Sequence, residues 1–112
     1  MSVDASSVVK AAFACYRAQD RAAALPLYAE DFTFTSPQDD HIDKSAFFAR
    51  CFPTAERFTE QRLLHVTPAD PELVFLHYEY ALTTGERYRN VEAITVRDGL
   101  IRGVQVFFGG RV

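Results

Sequence analysis

The chain has no tryptophan, one methionine, two cysteines, and only five glycines and five prolines. Each scarcity closes off a class of protein. Glycine and proline at that level leave no room for a collagen-like repeat, a low-complexity tract or a flexible linker. Cys15 and Cys51 lack CxxC spacing, so neither a disulfide framework nor a zinc site is expected, and both read as buried free thiols. No apolar run approaches the roughly eighteen residues needed to cross a bilayer. Met1 to Lys10 lacks the basic start and apolar core of a secretory leader. A net charge of −3 without runs of like charge gives nucleic acid or an anionic membrane little to hold. The expectation is a cytoplasmic protein with neither of those partners.

What is present points to one folded domain spanning 1–112. Hydrophobic residues make up 48% and aromatics 13%, ten of them Phe, enough for a single real core. Ser6 to Gln19 reads as a helix, with Val9, Ala12, Phe13 and Tyr16 recurring at spacings of three and four. Asp20 can cap a second helix running to Ala29, although Pro26 should kink or delay it. Phe32 to Ser36 alternates as a short strand, and Pro37 to His41 is a loop. Asp43 can cap a third helix, Lys44 to Phe52, ended by Pro53. Gln61 to Thr67 has strand character and should stop at Pro68.

The stretch from Glu72 to Gly109 is the most informative. Thr84-Gly85 and Asp98-Gly99 separate three alternating runs, Glu72–Thr83, Glu86–Arg97 and Leu100–Phe108, which predicts a meander of two hairpins. With two-residue turns at both places, His77 lies opposite Glu92, Glu79 opposite Asn90, and Glu92 opposite Gln105. One sheet face then has a polar middle between apolar ends. Buried polar groups are costly unless they bond to each other, to water or to a ligand, so this face reads as the wall of a pocket. Glu92 is its predicted centre, with His77 as the titrating neighbour. The chemistry would be a general base with hydrogen-bond donors beside it. A satisfied cross-strand polar network is the structural alternative.

Phe32-Thr-Phe-Thr-Ser-Pro-Gln-Asp-Asp-His-Ile-Asp-Lys44, Phe47-Phe48, Cys51-Phe52-Pro53, Tyr88-Arg-Asn-Val-Glu92, and Asp98-Gly-Leu-Ile101 leading to Val106-Phe-Phe-Gly109 resemble the SnoaL-like branch of the nuclear-transport-factor-2-like superfamily. Ketosteroid isomerases and polyketide cyclases are in that group. The resemblance implies an α+β fold: a cone-shaped, curved antiparallel sheet wrapped around three N-terminal helices, the cystatin-like α+β barrel, with a cavity at the wide end. It also implies cofactor-free isomerase or cyclase chemistry on a hydrophobic carbonyl compound. His77 with Glu92 or Glu79 would imitate the cyclases' Asp–His pair, and Tyr16 resembles in position the tyrosine donor of ketosteroid isomerases. The arginine used by the superfamily's epoxide hydrolases has no counterpart, because Asn90 stands two residues before Glu92. A non-catalytic binding module and a structural dimer module with a filled cavity are the other readings. A void of ~300 Å³ or more separates the first two from the third.

The expected site thus comprises Glu92 and His77 as the catalytic pair, with Tyr16, Phe34, Asp40, Glu79, Asn90, Gln105 and Phe107 contacting a hydrophobic small molecule. Asp39, Asp40 and His41 cluster before the third helix, but adjacent residues rarely converge on one ion, so no metal is expected. The same register puts Val74, Leu76, Tyr78, Tyr80, Val91 and Val106 on the opposite face. Left to water, that face predicts a two-fold homodimer packed sheet to sheet.

Overall fold

A computed structural model describes residues 4–112; the first three residues of the stretch inspected for a leader lie outside them. Helix α1, Ala5–Ala18, starts at Asp4 and ends where Gln19 turns left-handed, its N–H returning to the carbonyls of the last turn. Its apolar stripe buries Val8, Val9 and Ala12. Asp20 caps α2, Arg21–Ala24, by accepting from the Ala23 N–H at 3.1 Å. Pro26 then cuts the helix short of the expected Ala29. It sits in a 3-10 turn, Leu25–Leu27, and the chain is already extended at Tyr28. Strand β1, Tyr28–Thr35, is followed by the two-residue β2, Ile42–Asp43, and by α3, Lys44–Arg50. Asp43 caps α3 through the Ala46 N–H at 2.8 Å. A 3-10 segment, Phe52–Arg57, fills the turn that leads into the sheet.

The long strands are β3, Phe58–Asp70, β4, Leu73–Leu82, β5, Arg87–Arg97, and β6, Leu100–Arg111. Their order is β2-β1-β6-β5-β4-β3. All neighbours are antiparallel except β1 and β6, so the curved sheet is mixed and not wholly antiparallel. Strand β3 runs through Pro68, where the sequence suggested a stop. It is an edge strand, and a proline there gives up no N–H that a neighbour needs.

The first hairpin departs from two-residue geometry and the second is followed by a register shift in its ladder, and these two features decide which side chains meet. Leu82 N–H donates to Glu86 C=O at 2.9 Å, closing a three-residue loop, Thr83 to Gly85, with Gly85 left-handed at φ 93°. The pairing is therefore Leu76 with Glu92 and Tyr78 with Asn90, while His77 faces Val91 and Glu79 faces Arg89. The second hairpin does turn on two residues, Asp98 and Gly99, both at positive φ. An irregularity two pairs later shifts the register, so Glu92 faces Val106 and Gln105 faces Ala93.

The inner face is thus Val74, Leu76, Tyr78 and Tyr80 on β4, Asn90, Glu92 and Ile94 on β5, and Val104 and Val106 on β6, covered by α1 and α3. The face expected to be open to water is, for β4 and β6, the one that holds the core. Phe32, Phe48, Leu76 and Ile94 are among its fully buried side chains. Tyr28, Phe32, Phe47, Phe48 and Phe52 form an aromatic cluster with ring centres 4.9 to 5.5 Å apart. Burying each large ring contributes about 1.5–3 kcal/mol. Two of its rings, Tyr28 and Phe47, also border the hollow beneath the sheet.

Candidate active site

A cavity of about 880 Å³ lies between α1, the 3-10 segment and the concave side of the sheet. It exceeds the size that a filled structural module would leave. Its wall is largely apolar or aromatic, with a short polar line at its floor. Glu92 is only 7% exposed and borders the cavity. Its Oε2 accepts from the Tyr78 hydroxyl at 2.6 Å, and that hydroxyl in turn accepts from Asn90 Nδ2 at 3.1 Å. Oε1 has no hydrogen-bond partner among the described residues.

Among the described residues no cation stands beside Glu92, and burial dominates its ionisation. Loss of hydration pushes its pKa up to about 7, against the opposing pull of the Tyr78 hydrogen bond. Near neutral pH the group is split between carboxylate and acid. It can take a proton in one form and donate a hydrogen bond in the other. Tyr78 itself is held well above its ordinary value by burial and by the Glu92 charge. Its hydroxyl therefore stays a donor and fixes the carboxyl orientation.

Tyr16 enters from α1. Its hydroxyl lies 2.6 Å from Thr54 Oγ1, and Thr54 donates its single hydroxyl proton to Cys51 C=O at 2.6 Å. Tyr16 must then be the donor of the first bond. Burial pushes its pKa up to about 12, with Glu92 adding to the rise. Cys51, in the same wall, is pushed up to about 11 by burial and then by Asp39, which keeps the thiol neutral. Near the mouth, Asp39 accepts from Arg50 at 3.3 Å, and Arg57 also borders the cavity.

Glu92, Asn90, Tyr16 and Phe34 all border the cavity. His77, Glu79, Gln105 and Phe107 do not. The three-residue loop rotates His77 and Glu79 to the outer face, and the shift in β6 does the same for Gln105 and Phe107. Glu79 pairs there with Arg87 at 3.6 Å, and Phe107 is 51% exposed. Asp40 also points away, bonding His41 at 2.6 Å in solvent, and its neighbour Asp39 takes the inward place. Tyr78, Tyr80 and Thr54 are site residues missing from the expected set, Tyr78 and Tyr80 because the two-residue register put them on the opposite face. Tyr78 and Tyr80 share β4 parity with the core residues Val74 and Leu76, which was the available signal.

The SnoaL-like domain matches residues 9–104. The chain belongs to this family. Among solved structures, the SnoaL-like chain is similar to a protein from Kribbella flavida at TM-score 0.86 and 20% identity, covering 96% of this chain and 88% of that one. An NTF2-like protein from Burkholderia thailandensis gives 0.74 and 20%, covering 92% and 88%. A computationally designed 17-OHP binder gives 0.77 and 17%, covering 97% and 93%. At such identities these likenesses establish the shared fold. No curated protein sequence matches the chain. Among the described residues no helix is long and apolar enough to cross a membrane, and no group of three or more His, Cys, Asp or Glu converges as for a metal ion.

Proposed function

We propose that this SnoaL-like protein binds a hydrophobic carbonyl compound in its cone and that Glu92 moves a proton on it, as in isomerase or cyclase chemistry. The observation that carries this reading is a carboxyl group at the floor of a ligand-sized apolar cavity, one oxygen held by Tyr78 and the other facing the space. The uncommitted Oε1 would take the proton from the carbon next to the carbonyl. The electron pair passes into the C–C–O system, and the protonated carboxyl returns the proton to another carbon or to the oxygen. Tyr80, from the same wall, offers a hydroxyl to the negative oxygen that develops. No electrons are gained or lost overall, so no redox carrier enters the reaction.

The likeness to a designed binder supports a second reading, ligand binding without turnover. One experiment separates them. Hydrophobic enolisable ketones are incubated with the protein in D2O, with binding measured by calorimetry and exchange by NMR. Proton transfer predicts enzyme-dependent deuterium uptake that Glu92→Gln abolishes while His77→Gln leaves it intact. Binding without exchange supports the second reading. A panel in which no ketone binds contradicts both.

We further propose that two copies associate through the outer face, where Phe75, Val91 and Phe107 are exposed. A patch of large apolar side chains on a sheet favours burial against a second copy. Sedimentation at micromolar concentration should show a dimer, and a monomer would refute it.

A further inference from the structure

His65 on β3 and His77 on β4 meet on the outer face of the sheet, remote from the cavity. Their Nδ1 atoms are 3.2 Å apart and their ring planes differ by only 3°. The ring centres are 5.4 Å apart, farther than the nitrogens, so the imidazoles meet edge to edge with nitrogen facing nitrogen. This contact depends on a backbone irregularity. Through Arg62 with Glu79 and Leu63 with Tyr78, the ladder would bring Leu64 opposite His77. The register shift between Leu63 and His65 instead puts His65 there. A bulge of this kind re-aims a side chain. Here it replaces a leucine with a second imidazole.

We propose that His65 and His77 form a two-imidazole chelate for a borderline divalent transition ion such as Zn²⁺, Ni²⁺ or Cu²⁺. Two neutral imidazoles cannot face each other through nitrogen unless one supplies a proton, and a metal ion can take that proton's place. With metal–nitrogen bonds of about 2.0–2.1 Å, a 3.2 Å separation corresponds to a ligand–metal–ligand angle of about 100°, close to tetrahedral. The two nitrogens now share a proton between them, so that proton must leave and each ring must swing outward to meet the ion above the sheet. In a single copy His65 is exposed and His77 half-buried, which leaves both free to do so; His77 faces Val91, so pairing of two copies through that patch would compete with the ion. Their backbones are fixed by pairing in one ladder, so the chelate is largely preorganised. Imidazole nitrogen selects these ions over Mg²⁺ and Ca²⁺, with copper bound most tightly. Water completes the coordination.

The test is titration of the full-length protein with Zn²⁺ and separately with Ni²⁺, by calorimetry and by histidine-resolved NMR. One equivalent is expected, with a dissociation constant on the order of 10 µM. His65→Asn and His77→Asn should each weaken binding by about tenfold or more, because a chelate becomes a single ligand. His41→Asn, which alters the remaining histidine, should leave it unchanged. Ni²⁺ should broaden the His65 and His77 ring signals before any other. No binding up to millimolar metal, or binding indifferent to both substitutions, overturns the proposal. The far-ultraviolet spectrum of each variant shows whether it is folded. Should a single variant unfold, loss of the wild-type ring signals on adding Ni²⁺ still decides the matter.

Discussion

Replacing Glu92 with glutamine should make this protein more stable at pH 7.5 and leave it nearly unchanged at pH 4.5. The folded protein holds the Glu92 pKa near 7, against an ordinary carboxyl value of 4.5. Between those values the native state keeps a proton that the unfolded chain has released. Stability from this group is therefore full below pH 4.5 and declines until the native group has ionised at about pH 7. The difference of about 2.5 pH units corresponds to roughly 3 kcal/mol. Glutamine never ionises, and its amide oxygen can still accept from Tyr78 at the position where Oε2 sits at 2.6 Å. The variant lacks that decline. For a chain of this length, 3 kcal/mol is about 10–15 °C in melting temperature. Urea denaturation of both proteins from pH 4 to 8 gives the difference curve directly, and other carboxylates cancel from it. Parallel curves would refute the claim that Glu92 is a buried acid without a counter-ion.

Three further outcomes follow from single contacts. Tyr78→Phe removes the hydrogen bond that favours the charged form, so the Glu92 transition should move to higher pH; an unmoved transition in the same urea series would count against that bond. Asp43→Ala should cost about 1 kcal/mol in chemical denaturation by freeing the Ala46 N–H at the start of α3. Phe32→Ala should cost about 3–5 kcal/mol, because the ring is 1% exposed within the aromatic cluster and its removal leaves a cavity.

Much of the architecture was legible because its signals are local. The caps at Asp20 and Asp43, the apolar stripe of α1 and the alternation of β5 can each be read from a few neighbouring residues. Glu92 and Asn90 were placed on the pocket face as its polar middle, and both are buried. Their cross-strand neighbours were not legible. Thr84-Gly85 is compatible with a two-residue or a three-residue loop, and one residue of loop length carries His77 from the inner face to the outer. The β6 irregularity did the same to Gln105, with no sequence signal stronger than Gly103 within the strand. The extension of β1 back to Tyr28 escaped notice because Tyr28 and Ala29 also suit a helix, and only the neighbouring β6 makes them a strand. The His65–His77 contact depends on a bulge and was likewise beyond reading by spacing.

The central claim is that Glu92 is a carboxyl group able to exchange a proton with a cavity ligand near neutral pH. The most direct measurement is the ¹³C chemical shift of its side-chain carboxyl as a function of pH, assigned by its loss in Glu92→Gln. The account predicts a titration near pH 7, displaced when a ketone occupies the cavity. A carboxyl titrating near 4.5, as a solvated glutamate does, would contradict it.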